Sequence, residues 1–334
     1  MGRGQRRAVA VLTFVVATAG SGTAVAAMAG ARVAPAASEG CDIAKGAPGE
    51  QRVTMTSGAT KRAYFRHVPP ASRAGKPLPL VLDLHGYMEP AAAHKANSAL
   101  GRFGDKHGFF TITPEGSGPI PRWDTQFDSA DMTFLGDLLD EVEQALCVDE
   151  RRVFVAGYSN GAFMASAMAC VYADRVAAVA PVAGIREVPG CTPSRPVPVV
   201  AFHGRADEFV SFDGGLGPRV DSLREPDQQH TRDVAAPTES GLSIPAVAAA
   251  WAARNGCAPT PTEKAVASDV SVVRYECPRH ADVQLYEIEG GGHTWPGSAF
   301  SRAIEQFVGP TTLSIDADAL MWRFFERHPL RSAG

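Results

Sequence analysis

The chain has no apolar run approaching the roughly 20 residues needed to cross a bilayer, which excludes a polytopic membrane protein. Outside the extreme N-terminus it has no basic block or Lys/Arg stripe, and 32 basic against 36 acidic residues leave a formal net charge of -4. Counterion release therefore has nothing to act through, and a nucleic-acid partner is excluded. There is no His-Glu-x-x-His, no Walker loop and no Gly-x-Gly-x-x-Gly after the first strand, so no metal and no cofactor is expected. Gly290-Gly291-Gly292 lies late and precedes a histidine, which makes a phosphate cradle a poor reading. No two cysteines stand at C-x-x-C spacing, and no repeat or low-complexity tract interrupts the chain. With 334 residues, 45% hydrophobic and 20% charged, disorder and collagen-like repetition are excluded as well, and a large core is within reach.

The N-terminus reads as an address. Arg3, Arg6 and Arg7 precede an apolar stretch over 8–19 and then a region rich in Ala and Gly, the order of a secretory signal peptide. Twelve residues at 1.5 Å each span about 18 Å, short of a hydrocarbon core near 30 Å, so export with cleavage is expected rather than anchoring. Small-x-small sites end at Ala26, Ala29 and Ala31. A signal over 1–31, an N-terminal segment over 32–50 and one catalytic domain over 51–330 is the expected organisation, and removal of three arginines takes the net charge to -7. The Arg6-Arg7 pair hints at twin-arginine export. Lipoprotein anchoring at Cys41 is disfavoured, because Ser38-Glu39 replaces the small and apolar residues it needs.

Six cysteines, an even number in an exported chain, favour disulfides over metal sites. Sequence neighbours pair Cys257 with Cys277 and Cys170 with Cys191, leaving Cys41 to tie the N-terminal segment to Cys147.

The periodicity predicts a β-hairpin over 52–56 and 62–68, then short buried strands over 80–84, 109–113, 153–156, 177–182, 197–202 and 283–288. Helices are predicted over 91–106, 131–146, 160–172, 244–255 and 315–327, the second with Leu135, Leu138, Leu139, Val142 and Leu146 on one face. Such alternation implies a mostly parallel, doubly wound α/β sheet with helices on both faces, and a site at the carboxyl ends of its strands. Residues 213–243, polar and rich in Gly and Pro, read as a surface excursion.

Gly157-Tyr158-Ser159-Asn160-Gly161 stands between a predicted strand and a predicted helix. A tight strand-to-helix turn needs small residues beside the serine and lifts its hydroxyl above the sheet as a nucleophile. A serine needs an imidazole base and a carboxylate to orient it, and in such folds the acid and then the histidine follow in the chain. His293, in Gly290-Gly291-Gly292-His293-Thr294-Trp295-Pro296-Gly297, fits the histidine. Asp207, after the strand over 197–202, fits the acid, with Asp213 and Asp221 as rivals. The backbone N–H groups of Asn160 and Tyr87 are the candidate oxyanion donors. His85 and His203 are expected to shape loops. Trp295 and Trp123 are candidates for pocket walls, with burial in the core the alternative.

The ordered series Asp83-Leu84-His85-Gly86, Pro114-Glu115-Gly116, Gly157-Tyr158-Ser159-Asn160-Gly161, Pro181-Val182-Ala183-Gly184, His203-Gly204-Arg205-Ala206-Asp207 and Gly291 through Gly297 resembles the secreted α/β-hydrolase esterases of the polyhydroxybutyrate depolymerase and feruloyl esterase-like group. The resemblance extends to Trp251 through Cys257 and to Trp322-Arg323-Phe324-Phe325, covering about residues 50 to 330. It implies the α/β-hydrolase fold and a cofactor-free serine carboxylesterase with triad Ser159, Asp207 and His293. The implied partner is a feruloyl or acetyl polysaccharide ester or a hydroxyalkanoate polyester, polymeric or not; oligomeric state is left open. The alternatives are an acyltransferase of mycolyltransferase type, a peptidase on the same scaffold, and a non-catalytic binding protein. The polar stretch 213–243 departs from the group's pattern, and no carbohydrate- or polymer-binding module is read in the sequence.

Overall fold

The computed structural model describes residues 1–2, 33–43, 47–223 and 241–331. The expected signal segment, apart from its first two residues, and positions 224–240 of the expected excursion lie outside these. The chain divides into Met1–Val33 and a compact unit, Ala34–Gly334, which holds every element discussed below.

Ten strands form one sheet: β1 (Gly49–Ser57), β2 (Thr60–Val68), β3 (Leu78–Leu84), β4 (Phe110–Pro114), β5 (Val148–Tyr158), β6 (Ala178–Val182), β7 (Val199–Gly204), β8 (Thr262–Ala267), β9 (Val270–Arg274) and β10 (Val283–Ile288). Their order is β1-β2-β4-β3-β5-β6-β7-β10-β9-β8. The block from β4 to β10 is parallel throughout, and an antiparallel hairpin flanks it on each side. This is the α/β-hydrolase architecture. The helices are α1 (Ala91–Ser98), α2 (Leu100–His107), α3 (Ala130–Ala145), α4 (Asn160–Val171), α5 (Ile244–Arg254), α6 (Ala299–Ala303), α7 (Glu305–Val308) and α8 (Ala317–Phe325).

The central strands are apolar at nearly every position because both faces are covered. Alternation sends Leu80, Leu82, Leu84, Val153 and Val155 into one core with α3, α4 and α5. Val81, Phe154 and Ala156 enter the other with α2 and α8, where Phe154 stacks on Phe325 at 4.5 Å between ring centres.

Several expectations change in detail. The helix predicted over 91–106 is two helices, because Ala99 takes φ 54° and interrupts the helix between them. The hairpin β8–β9 was not predicted: β8 reads Thr-Glu-Lys-Ala-Val-Ala, an exposed edge strand with no buried face to impose alternation. The short helices α6 and α7 were likewise not predicted. The α3 N-terminus is set by Ser129, whose Oγ accepts from the Met132 N–H at 3.0 Å. The three disulfides are Cys41–Cys147, Cys170–Cys191 and Cys257–Cys277, the pairing read from sequence neighbours.

Candidate active site

Ser159 lies between the end of β5 and the first residue of α4, with φ 53° and ψ -118°, a backbone conformation that costs a non-glycine residue about 1–3 kcal/mol. The turn that imposes it leaves no room for side chains on either side. A Cβ on Gly157 would overlap the carbonyl oxygen of Gly161, and a Cβ on Gly161 would overlap that of Leu84. The Ser159 N–H is held by Val182 O at 2.9 Å, which ties the turn to β6. Ser159 is partly exposed, whereas Tyr158 and Asn160 beside it are buried.

Asp207 and His293 leave the sheet after β7 and β10, which are adjacent and parallel. Their loops approach so closely that a Cβ on Gly204 would overlap Gly291 O, and the Ala206 N–H donates to that oxygen at 2.9 Å. The approach brings Asp207 Oδ2 to 2.8 Å from His293 Nδ1. The other carboxylate oxygen accepts the N–H groups of Phe209 at 2.8 Å and Val210 at 3.0 Å. Burial pushes Asp207 up, but the charge and hydrogen bond of His293, His203 and the Val210 N–H outweigh it, and the carboxyl is held below its ordinary range. With Asp207 ionised, Nδ1 carries the proton and Nε2 is left as the basic nitrogen. The His293 carbonyl accepts from Tyr158 Oη at 2.6 Å, so the residue before Ser159 also fixes the histidine loop.

Tyr87 stands in the turn after β3. The Gly86 N–H donates to Glu89 Oε2 at 2.8 Å and the Met88 N–H to Pro121 O at 2.9 Å, which pins both sides of that turn. A Cβ on Gly86 would lie 3.4 Å from Ser159 Cβ, so this loop touches the serine turn. Asn160 is the first residue of α4, and its side chain clamps Trp123 by accepting from its N–H at 2.7 Å and donating to its carbonyl at 3.2 Å. The rival acid Asp213 stays in the loop after β7 with no ion pair to His293, and Asp221 falls in a 3-10 segment, Pro218–Leu223.

No family model matches the chain. Feruloyl esterase B of Piromyces equi is 28% identical over 241 residues, 67% of this chain and 41% of that protein, so the chain spans well under half of this relative's length. Poly(3-hydroxyalkanoate) depolymerase C of Paucimonas lemoignei is 34% identical over 132 residues, 36% of this chain and 30% of that protein. Among solved structures, an acetyl xylan esterase from Aspergillus awamori superposes with a TM-score of 0.53 at 16% identity, covering 78% of this chain and 98% of the other, a likeness of fold. NocK of Nocardia uniformis subsp. tsuyamanensis, whose name assigns it an inferred esterase activity, is 31% identical over 267 residues, 75% of this chain and 74% of that protein. The chain belongs to the esterase family of NocK and has the α/β-hydrolase fold.

In this esterase-family chain the sequence-predicted loop residues sit where the strands end. His85 is buried. Its Nε2 accepts the Gly116 N–H at 2.8 Å and its Nδ1 donates to Gly86 O at 2.7 Å, and burial lowers its pKa to about 4, so the ring is neutral and structural. His203 is buried beside Asp207, its Nε2 donating to Val210 O at 2.9 Å, and burial lowers its pKa as well. Trp123 and Trp295 are each 1% exposed, the buried alternative of the two. The Trp123 indole donates to His85 O at 2.9 Å, tying the loop after β4 to the loop after β3. The Trp295 indole donates to Asp318 Oδ1 at 2.9 Å and lines a separate cleft of about 430 Å³ with Asn97, Ser298 and Asp318.

Sequence reasoning missed the group behind the Gly86 turn. His94 is fully buried between Asp83 Oδ1 at 2.8 Å from Nε2 and Glu89 Oε2 at 3.0 Å from Nδ1. Ser98 Oγ donates to Asp83 at 2.7 Å, and Glu89 also holds Gly86. Burial alone would lower His94, but the charges of Asp83 and Glu89 raise it to about 10. Both ring nitrogens therefore donate, and the group is a buried imidazolium. The signal in the sequence was Asp83, a lone charge in an otherwise apolar strand.

Proposed function

We propose that this chain hydrolyses carboxylic esters through Ser159, His293 and Asp207. The observation that carries the reading is the 2.8 Å Asp207–His293 bond on loops after adjacent strands, with a serine on a strained strand-to-helix turn whose neighbour Tyr158 bonds the histidine carbonyl. His293 Nε2 takes the Ser159 hydroxyl proton as Oγ bonds to the ester carbonyl carbon. The oxyanion is met by the N–H groups of Asn160 and Tyr87, and the alcohol leaves with the proton from His293. Water then repeats the sequence on the acyl-enzyme and releases the acid. Feruloyl, acetyl and hydroxyalkanoate esters are the substrate classes the relatives' names support. Residues 51–330 act as one catalytic domain, and the three disulfides fit work in an oxidising, extracellular compartment after export.

The test is hydrolysis of p-nitrophenyl esters of increasing acyl length, and of methyl ferulate, by the purified mature protein and by Ser159→Ala. Turnover that falls by at least about 10³-fold in the variant supports the reading. Equal activity of the two proteins moves the nucleophile elsewhere, and inactivity of both rejects ester hydrolysis on these substrates.

A further inference from the structure

Arg186 stands two residues beyond Gly184 in the loop after β6. Gly184 packs on the serine turn itself, since a Cβ there would lie 2.7 Å from Ser159 O. Arg186 is 6% exposed. Its Nη1 donates to Thr125 Oγ1 at 2.8 Å, and its guanidinium carbon lies 5.9 Å from the ring centre of Phe163, in the first turn of α4. Nε is buried with no hydrogen-bond partner. Burial lowers its pKa to about 10, and the charge of exposed Asp124 opposes this only in part.

The other buried or half-buried arginines of this fold show what a structural guanidinium looks like here. Arg62 pairs with Asp131 at 2.7 Å, Arg254 with Glu187 at 2.5 Å, and Arg175 with Asp140 and Glu143 at 2.6 Å each. Arg195 has no carboxylate contact but spends its donors on the carbonyls of Ala173, Val176, Ala177 and Pro196. Among the described residues Arg186 has a single neutral oxygen for its planar set of donors, an arrangement that carries a desolvation cost without a matching charge. Arg186 lines a small recess of about 20 Å³, room for about one water and too small for an acyl chain, with Phe163, Ile185, Val210 and Glu187, whose carboxylate is already paired with Arg254. The Val210 N–H holds Asp207, so the recess is flanked by the serine's helix on one side and the acid's loop on the other.

We propose that Arg186 recognises a carboxylate carried by the ester substrate, an inference that rests on Ser159 being the nucleophile. A guanidinium takes a carboxylate in two parallel N–H···O bonds, which gives direction as well as charge. Two sources share that chemistry: the free acid end of a hydroxyalkanoate oligomer, and a uronate on an esterified polysaccharide.

The experiment compares kcat/KM within matched pairs for the wild type, Arg186→Gln and Arg186→Lys, each checked for folding by its urea midpoint. The pairs are 4-nitrophenyl hydrogen glutarate against 4-nitrophenyl valerate, the 3-hydroxybutyrate dimer as free acid against its methyl ester, and an acetylated xylo-oligosaccharide with against without a uronate branch. The wild type is expected to favour the carboxylate member of at least one pair by about 10- to 100-fold, the size of a charge-assisted hydrogen-bond pair. That ratio collapses in Arg186→Gln, largely through KM, and returns in part in Arg186→Lys. The second and third pairs separate the two sources. A wild-type ratio near one in every pair, or a ratio the substitutions leave unchanged, overturns the proposal. If the wild type cleaves no ester, the nucleophile reading has failed, and calorimetric titration with glutarate decides recognition alone. Binding lost in Arg186→Gln supports it; equal or no binding by the two proteins overturns it.

Discussion

Replacing His94 with Gln tests whether a buried imidazolium holds the loop between β3 and α1. Both ring nitrogens face carboxylates, and the pKa stands at about 10 against 6.5 for a free imidazole. A folded-state pKa above the unfolded one means that the native protein binds the extra proton, so the contribution to stability is complete below pH 6.5 and is lost as pH rises towards 10. The slope is about 1.4 kcal/mol per pH unit in that window, or about 3 kcal/mol between pH 7 and 9. At pH 7 the glutamine leaves Asp83 and Glu89 without their positive charge, which costs about 3–5 kcal/mol for a broken buried pair. Urea unfolding of both proteins at pH 7, 8 and 9, with the disulfides intact and the four tryptophans as the fluorescence probe, gives the difference directly. The wild type is expected to lose its advantage over His94→Gln steadily as pH rises. Parallel stability curves across this range would falsify the charged state. A direct check is nitrogen NMR of the ring at pH 8, where both Nδ1 and Nε2 should carry protons.

His85, two residues beyond Asp83 in the loop after β3, titrates with the opposite sign. Its pKa falls to about 4, so its contribution is present above pH 6.5 and disappears as pH drops from there towards 4, worth about 3 kcal/mol in all; a wild-type urea midpoint that does not fall between pH 6.5 and 4.5 contradicts this. Gly161→Ala drives a Cβ into the Leu84 carbonyl, and a loss of several kcal/mol or a disrupted serine turn is expected, read as a lower urea midpoint with loss of ester turnover; a variant as stable and active as the wild type would show that the turn relaxes freely. Cys41→Ala with Cys147→Ala opens a sequence separation of 106 and Cys257→Ala with Cys277→Ala one of 20, so the first pair should cost about 5 and the second about 3 kcal/mol if chain entropy governs. The reverse ranking in urea midpoints would place the effect in native-state packing instead.

Much of this arrangement was legible because local chemistry and global topology agree. Gly157, Ser159 and Gly161 announce a tight turn at the end of an apolar strand, and Asp207 and His293 each stand just past another such strand; the structure places them at the ends of β5, β7 and β10 and bonds the last two. What was not legible depends on contacts that no local pattern encodes. Ala99 is an ordinary helix former, and the break at φ 54° falls directly after Asn97 and Ser98, whose side chains bond Glu89, Ser298 and Asp83 across the fold. β8 pairs through its backbone while exposing its side chains, so hydrophobic periodicity is silent there. Asp83 stands as a lone charge in an apolar strand, a signal the sequence reading passed over, and its partner His94 arrives from the next helix and could not be named from spacing.

The site is held together less by its side chains than by backbones that touch where no Cβ intervenes: residue 161 against Leu84, residue 184 against Ser159, residue 204 against Gly291. Each contact joins the loops of different strands, so together they set the distances among the serine turn, the loop after β6 and the acid and histidine loops. A frame of that kind tolerates wide change in the side chains around it, because close-packed backbone contacts depend on the absence of a side chain rather than on a particular one. This accounts for a fold shared with an acetyl xylan esterase at 16% identity. It also explains why likeness to relatives named for feruloyl, acetylxylan and hydroxyalkanoate substrates cannot choose among those substrates. Selectivity has to come from groups that the frame positions but does not require, and a buried guanidinium with one neutral acceptor is a group of that kind.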